Sequence, residues 1–448
     1  MGRPSVVCFL AVVLLAGVSP AQEEATEDRG SEAAEQRGLR YAFGFEAKAH
    51  FRSSVHDRSI ATRVAEPTDP STPITLTTVN AGEHFELSTL TLFADAFWGG
   101  AAGVQAHLKL DLIDLYERNP TSTDREVDVD EIWLRIGREH QPGEMPVRRG
   151  AYFKIGKFGH FERQDERHLE SYGLTSTTFN RLEDIGLEVG VDLSRHIYLK
   201  LSATQGNPVF FRDPNALAGD VGDSLLNPSS RRLGGGLGLI YDAEVEDLDI
   251  DGDLELGGGL GFRFGDAFGN RAVDILLWAY GRDLAPTVPL RGSAIGGDLE
   301  LLLGPGDLSQ PLPVTDDRKR EVGGNVWWYH GPLSFFGQYV DQELAGLPRR
   351  SFEAELAWFV ELPLRWSAFG GQLFRSMTPV VRYSRLFNDF EHPEVTALPS
   401  LAWDWYKLDV GLRVEILEGV DLTLEYAFNH GYLTDINEAL VTFRWARR

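Results

Sequence analysis

Few residues of this 448-residue chain stand at spacings that could do chemistry. Asp247, Asp249, Asp251, Gly252, Asp253 and Glu255 begin as a calcium loop begins, with hard oxygen ligands at alternate positions and a glycine for the turn. Position twelve is Gly258 instead of a bidentate acid, and alternating segments flank it, so it reads as a polar turn. A denser run follows another segment: Glu162, Arg163, Asp165, Glu166, Arg167, His168 and Glu170. Folded into a cavity, Arg163, Arg167 and Arg181 could grip an anionic solute by charge-assisted hydrogen bonds. Projecting outward, the same run is a solvated loop. His-Glu-x-x-His and Gly-x-Ser-x-Gly do not occur, and the one cysteine is Cys8, so metalloprotease, elbow-hydrolase and thiol chemistry lack their usual signatures. The 11 histidines leave room for an Asp, His and Ser set gathered from separate elements, which no motif favours. No catalytic residue, metal site or cofactor is expected.

The remaining charges recur at alternate positions. Lys48, Lys109, Lys154, Lys200, Arg263, Arg382, Lys407, Arg413 and Arg444 share their stretches with Glu46, Asp111, Glu188, Glu255, Glu353, Glu355, Asp409, Glu415 and Glu425. What positions them is a period of two. From Arg40, Tyr41, Phe43, Phe45, Ala47, Ala49 and Phe51 fall on one face, and Glu46, Lys48 and His50 on the other. Val104, Ala106, Leu108, Leu110 and Leu112 would scatter around a helix and align only on a strand. The pattern returns at 185–191, 197–203, 254–264, 322–328, 352–360, 408–414, 422–428 and 439–445.

Segments of roughly ten residues suffice to cross a bilayer at a tilt. Short connections at 193–196, Gly331-Pro332 and Glu418-Gly419 alternate with long polar ones at 55–81, 159–184, 207–232 and 304–321. The expected fold is all-β: a transmembrane antiparallel β-barrel of about sixteen to eighteen strands. Soluble sandwiches and propellers also alternate, but aromatic clusters at Trp327-Trp328-Tyr329 and at Trp403, Trp405 and Tyr406 suit a headgroup layer, and no blade repeat is visible. Charges on the non-lipid face would either line the lumen or pair with cross-strand neighbours.

Residues 1–21 read as a signal peptide: Arg3, an apolar core over 6–16, and Ser19-Pro20-Ala21 as the cleavage site. Residues 22–39 form a flexible periplasmic lead-in and 40–448 the barrel, exported to the outer membrane. Loss of 1–21 removes Arg3 alone among charged residues and moves the formal charge from −24 to −25, which repels nucleic acid. The lead-in is too short for a folded plug ahead of Arg40.

Asp130-Glu131-Ile132-Trp133-Leu134-Arg135-Ile136-Gly137, followed by Tyr152-Phe153-Lys154-Ile155-Gly156-Lys157-Phe158, resembles a recurring hairpin of the phosphate-selective porin O/P family, and 85–111 is similar to its early hairpin. The resemblance implies an outer-membrane porin, associated in threes, passing small hydrophilic or anionic solutes such as phosphate past a constriction shaped by an inward-folded loop, here 159–184. Its partners would be outer-membrane lipid, lipopolysaccharide and the solutes. The chain departs from that pattern in its acidity, in lacking a matched basic ladder and in ending Arg447-Arg448. The expected lumen set is Lys48, Lys109, Lys154, Lys200, Arg263, Arg382, Arg413, Arg444, Glu188, Glu353 and Glu355, with Arg163, Arg167 and Arg181 at the constriction. The alternative is an export or structural barrel, with a barrel enzyme behind it.

Overall fold

The computed structural model describes residues 38–54, 60–66, 69–76, 82–99, 103–114, 128–164, 167–179, 183–206, 244–245, 254–266, 271–283, 290–291, 315–316, 318–344, 346–364, 366–368, 370–388, 404–430 and 437–447. Sixteen long strands form the barrel. They are β1 (Arg40–Ser54), β2 (Gly82–Trp98), β3 (Val104–Asp114), β4 (Asp128–Gly137), β5 (Ala151–Gly159), β6 (Glu183–Asp192), β7 (Ile197–Thr204) and β8 (Glu255–Gly265). The second half comprises β9 (Arg271–Asp283), β10 (Arg318–His330), β11 (Leu333–Leu344), β12 (Leu347–Trp358), β13 (Ser376–Asn388), β14 (Trp405–Leu417), β15 (Val420–His430) and β16 (Glu438–Arg447).

Each strand pairs antiparallel with its chain neighbours, and β1 closes the ring by pairing with β2 on one edge and with β16, from Phe45 opposite Arg447 to Ser54 opposite Glu438, on the other. A closed ring leaves no sheet edge, so the ladder satisfies the backbone polar groups that lipid could not. Arg40 and Arg447 lie at one end of the ring. The tight turns at 193–196, 331–332 and 418–419 share that end. The connections 55–81, 115–127, 160–182 and 205–254 leave from the other, where the β11–β12 hairpin also closes, Leu344 opposite Leu347. The expected range of strands resolves to sixteen.

Burial follows the pleat. On β9, Asp274, Leu276, Trp278, Tyr280 and Arg282 point inward and are buried, while Leu277 is exposed on the lipid side. Both faces are apolar at this level, which hides β9 from a search for alternation. On β8 the inward positions Gly257, Gly259 and Gly261 carry no side chain; the rings of Tyr280, Phe161 and Tyr198 occupy the positions a Cβ would need. Bare wall lets bulky rings lie flat inside the barrel.

The aromatic belt differs in part from the expected one: Tyr406 is exposed, and Trp403 lies outside the described residues. Trp327 and Trp405 are buried inside, Trp327 against Phe336 with ring centroids 5.5 Å apart and Trp405 donating its indole N–H to Asn429. Adjacent strand residues must face opposite ways, so Trp327 and Trp328 cannot both meet lipid. The exposed rings at the end holding the termini are Tyr41, Phe43, Trp98, Phe264, Trp358, Phe359, Trp366 and Trp445.

Candidate functional site

The segment leaving β5 turns into the barrel. His160 Nε2 stands 3.4 Å from Asp184 Oδ2, and the Phe161 ring stacks on Tyr280 with centroids 5.3 Å apart over the bare wall at Gly259. Tyr280 donates its hydroxyl to Glu162 at 2.5 Å, and Asn325 and Gln338 donate to the Glu162 carbonyl at 2.5 and 3.1 Å. Three strands, β9 to β11, therefore hold the first turn.

The segment then crosses to the far wall, where carboxylates accept its main-chain N–H groups. Glu355 takes His168 N–H at 3.3 Å and lies 2.8 Å from His168 Nδ1. Glu425 accepts from the N–H of Glu170 and Ser171, at 3.0 and 3.2 Å, and from the Ser171 hydroxyl. Ser384 accepts from Leu174, Glu353 from Thr175, and Lys407 donates to the Tyr172 carbonyl at 2.7 Å. A single helical turn, α1 (Leu174–Thr178), lies against β12 and β13. Hydrogen bonds to a charged acceptor contribute about 1.5–3 kcal/mol each, so these contacts fix the segment firmly. Its Glu170 reaches Lys48 of β1 at 3.1 Å.

A second inward segment, 138–150, comes from the opposite end. Asp192 accepts from Gly150 N–H at 2.9 Å and lies 3.1 Å from His140, while Gly143 N–H reaches Asp274 at 3.4 Å. Its Glu139 stands among Lys200 at 2.8 Å and Arg135 and Lys154 at 3.1 Å each. The two segments and the β10–β12 wall enclose a cavity of about 170 Å³, lined in part by Gln141, Gln164, His168, Trp327 and Tyr329.

Burial sets the ionisation of these inner groups against their partners. For His160 burial disfavours the charged ring, yet the contact with Asp184 and the charges of Glu162 and Glu255 prevail and its pKa rises to about 9. Burial pushes Glu170 up, and Lys48, Arg413 and Arg167 outweigh it and hold it below the usual carboxylate range. Glu139 is held well below that range, because Lys154, Lys200 and Arg135 overcome its burial. His140 lies below its ordinary value, chiefly through burial.

The inner wall divides in two. Under the crossing segment, Arg382, Lys407 and Asp409 expose none of their side-chain surface, and Glu353 and Glu355 are buried too; Arg263 is buried against Asp192 and Asp274 beside the second segment. Away from that cover, Glu131 keeps 25%, Lys109 23%, Arg444 21%, Arg413 20% and Lys48 17% of theirs in contact with water. Lys154 and Glu188 are buried and Lys200 is partly exposed. Every expected lumen cation has an acid beside it: Lys48 has Glu46, Lys109 Asp130, Lys154 and Lys200 Glu139, Arg263 Asp192, Arg382 Asp409, Arg413 Asp421, and Arg444 both Glu46 and Asp421.

Arg163 pairs with Glu183, and Arg167 lies 3.5 Å from the centroid of the Tyr172 ring. Arg181 and most of the calcium-like run lie outside the described residues. Asp130, Glu131 and Glu183 bring carboxylates together, but Lys109, the Trp133 indole N–H and Arg163 answer them. Arg135, Glu139, His140 and His160 escaped sequence reasoning as lumen groups. Three of the four stand outside strands, where a period of two carries no signal.

No protein-family model matches the chain, and no curated protein matches it. Solved structures do. The outer membrane channel DcaP of Acinetobacter baumannii superposes with a TM-score of 0.52 at 9% identity, over 92% of this chain and 98% of that one. OprB of Pseudomonas putida, in a high-pH structure, gives a TM-score of 0.50 at 9% identity over 91% of this chain and 94% of that one. At such identity the likeness is one of fold: this chain has the closed sixteen-strand barrel of outer-membrane porins, and with an apolar exterior it belongs in the outer membrane.

Proposed function

We propose that the barrel is a passive diffusion channel for small hydrophilic or anionic solutes and has no enzymatic activity. The observation that carries this reading is the asymmetric lumen. The segment 160–179 covers Arg382, Lys407 and Asp409, while Lys109, Arg413, Arg444 and Glu131 beyond it, and Lys48 at its edge beside Glu170, keep contact with water. Solute would enter between the long connections, pass between segment and open wall, and leave at the end holding the termini. Charges of both signs across a narrow wet passage produce a transverse field and weak net selectivity.

The phosphate preference and the association of three copies implied by the resemblance to the O/P porins belong to this proposal as its finer part, with Arg163, Arg167 and Arg181 as the constriction cations. Lipid and lipopolysaccharide would contact the exterior. The test is single-channel conductance of the refolded chain in a planar bilayer under a KCl gradient, before and after phosphate. Discrete steps are expected. Anion-directed reversal with phosphate block carries the finer part, weak selectivity without block removes it, and a folded but silent barrel overturns the channel reading for an export or structural one.

A further inference from the structure

We propose that Glu139 is a tethered counter-ion masking a carboxylate-binding site built from Arg135, Lys154 and Lys200, and that this masking sets the ion selectivity of the lumen. The proposal rests on the channel reading and deepens it. Elsewhere the wall supplies its own acids, as Asp130 does for Lys109 and Asp409 for Arg382 and Lys407. Here three cations from β4, β5 and β7 converge on one carboxylate that no strand carries. Lys200 takes Oε1 at 2.8 Å; Arg135 and Lys154 take Oε2, each at 3.1 Å.

The turn that delivers Glu139 is itself pinned, by Asp192 at Gly150 and His140 and by the pairing of Arg138 with Glu144. Its carboxylate therefore enters from the lumen side as a solute's would. Without it, Lys154 retains Glu188 at 3.4 Å, which also accepts from the Tyr152 hydroxyl at 2.5 Å, and Arg135 retains the Gln105 side-chain oxygen at 2.5 Å. Trp133 and Tyr152 flank the cations, with Arg135 5.5 Å from the first ring and Lys200 5.7 Å from the second. Two oxygens gripped from separate sides between aromatic rings suit a planar carboxylate with a short apolar body better than a tetrahedral anion.

The experiment uses the full barrel in planar bilayers, with propionate as the probe. Wild type is expected to show weak selectivity and little propionate block. Glu139→Gln is expected to move the reversal potential toward chloride and to lower the half-blocking propionate concentration by at least about tenfold, since Arg135 and Lys200 lose their charged acceptor and Lys154 keeps only Glu188. Glu131→Gln also removes one inward acid, and Glu131 has no Lys or Arg within ion-pair distance among the described residues, so the variant should shift reversal without creating block. Unchanged propionate block in Glu139→Gln, or equal block in both variants, overturns the proposal. Should Glu139→Gln not fold, Glu139→Asp withdraws the carboxylate by one methylene and must raise the block. A silent wild-type barrel sinks the channel reading and the role in selectivity but not the binding site: propionate must still raise the melting temperature of detergent-solubilised Glu139→Gln more than that of wild type, and equal shifts overturn the site.

Discussion

Raising the pH through 9 takes the proton from His160 and with it one anchor of the crossing segment. The ring lies 3.4 Å from Asp184 and 4.0 Å from Glu162, and 5.0 Å from the Tyr280 ring centroid. Its pKa rises from 6.5 to about 9, which corresponds to about 3 kcal/mol of stabilisation carried by the proton. A raised pKa sets the sign: the contribution is whole below pH 6.5, falls as pH climbs from there, and is gone above about 9. At pH 7.5 about 2 kcal/mol remains. The assay is thermal melting of the barrel in detergent between pH 6 and 10.5, with limited proteolysis reporting cleavage within 160–182. Lysines and tyrosines titrate in the upper range too, so His160→Gln is the reference. It should begin less stable at pH 6.5 and lack the decline that wild type shows between 6.5 and 9. Parallel pH profiles for the two proteins would refute the reasoning.

Three further outcomes are expected. Arg382→Met strands Asp409 and Glu355 beneath the crossing segment and should cost about 3–5 kcal/mol in denaturant unfolding, much of it recovered in Arg382→Met/Asp409→Asn. Gly261→Val drives a branched side chain into the Tyr198 ring, whose hydroxyl donates to Asp274 at 2.7 Å, and should lower stability by about 1–3 kcal/mol; an unchanged melting temperature would contradict the packing. Leu260→Arg places a charge on the lipid face between Leu199 and Leu277 and should cost about 2–4 kcal/mol in refolding into vesicles. A neutral result there would mean that the outward face of β8 is misassigned.

Much of the barrel was legible in the residues themselves. The face on which Lys48, Arg263 or Glu353 stands is decided by the pleat, a local property, and alternation alone separates the wet side of a strand from the greasy one. It also contradicts the reading of Trp327-Trp328-Tyr329 as one exposed cluster, since neighbours on a strand point apart. Alternation failed at β9, where Leu276, Trp278 and Tyr280 build an aromatic floor inside the barrel, so that both faces are apolar.

What the residues left open was where the segments between strands go. The run from Glu162 to Glu170 reads as a solvated loop or as an inward one, because its destination depends on partners far along the chain: Glu425 for Ser171, Glu355 for His168, Asn325 for Glu162. Glu139 was hidden likewise, since its charge acquires meaning only when Lys154 of β5 and Lys200 of β7 meet it inside the barrel. The sequence by itself determined strands, faces and a closed amphipathic wall, since those follow from backbone geometry and the period of two. Only the tertiary structure decided which inward charges are buried under a docked segment and which remain in water, since that depends on contacts between residues the chain keeps far apart.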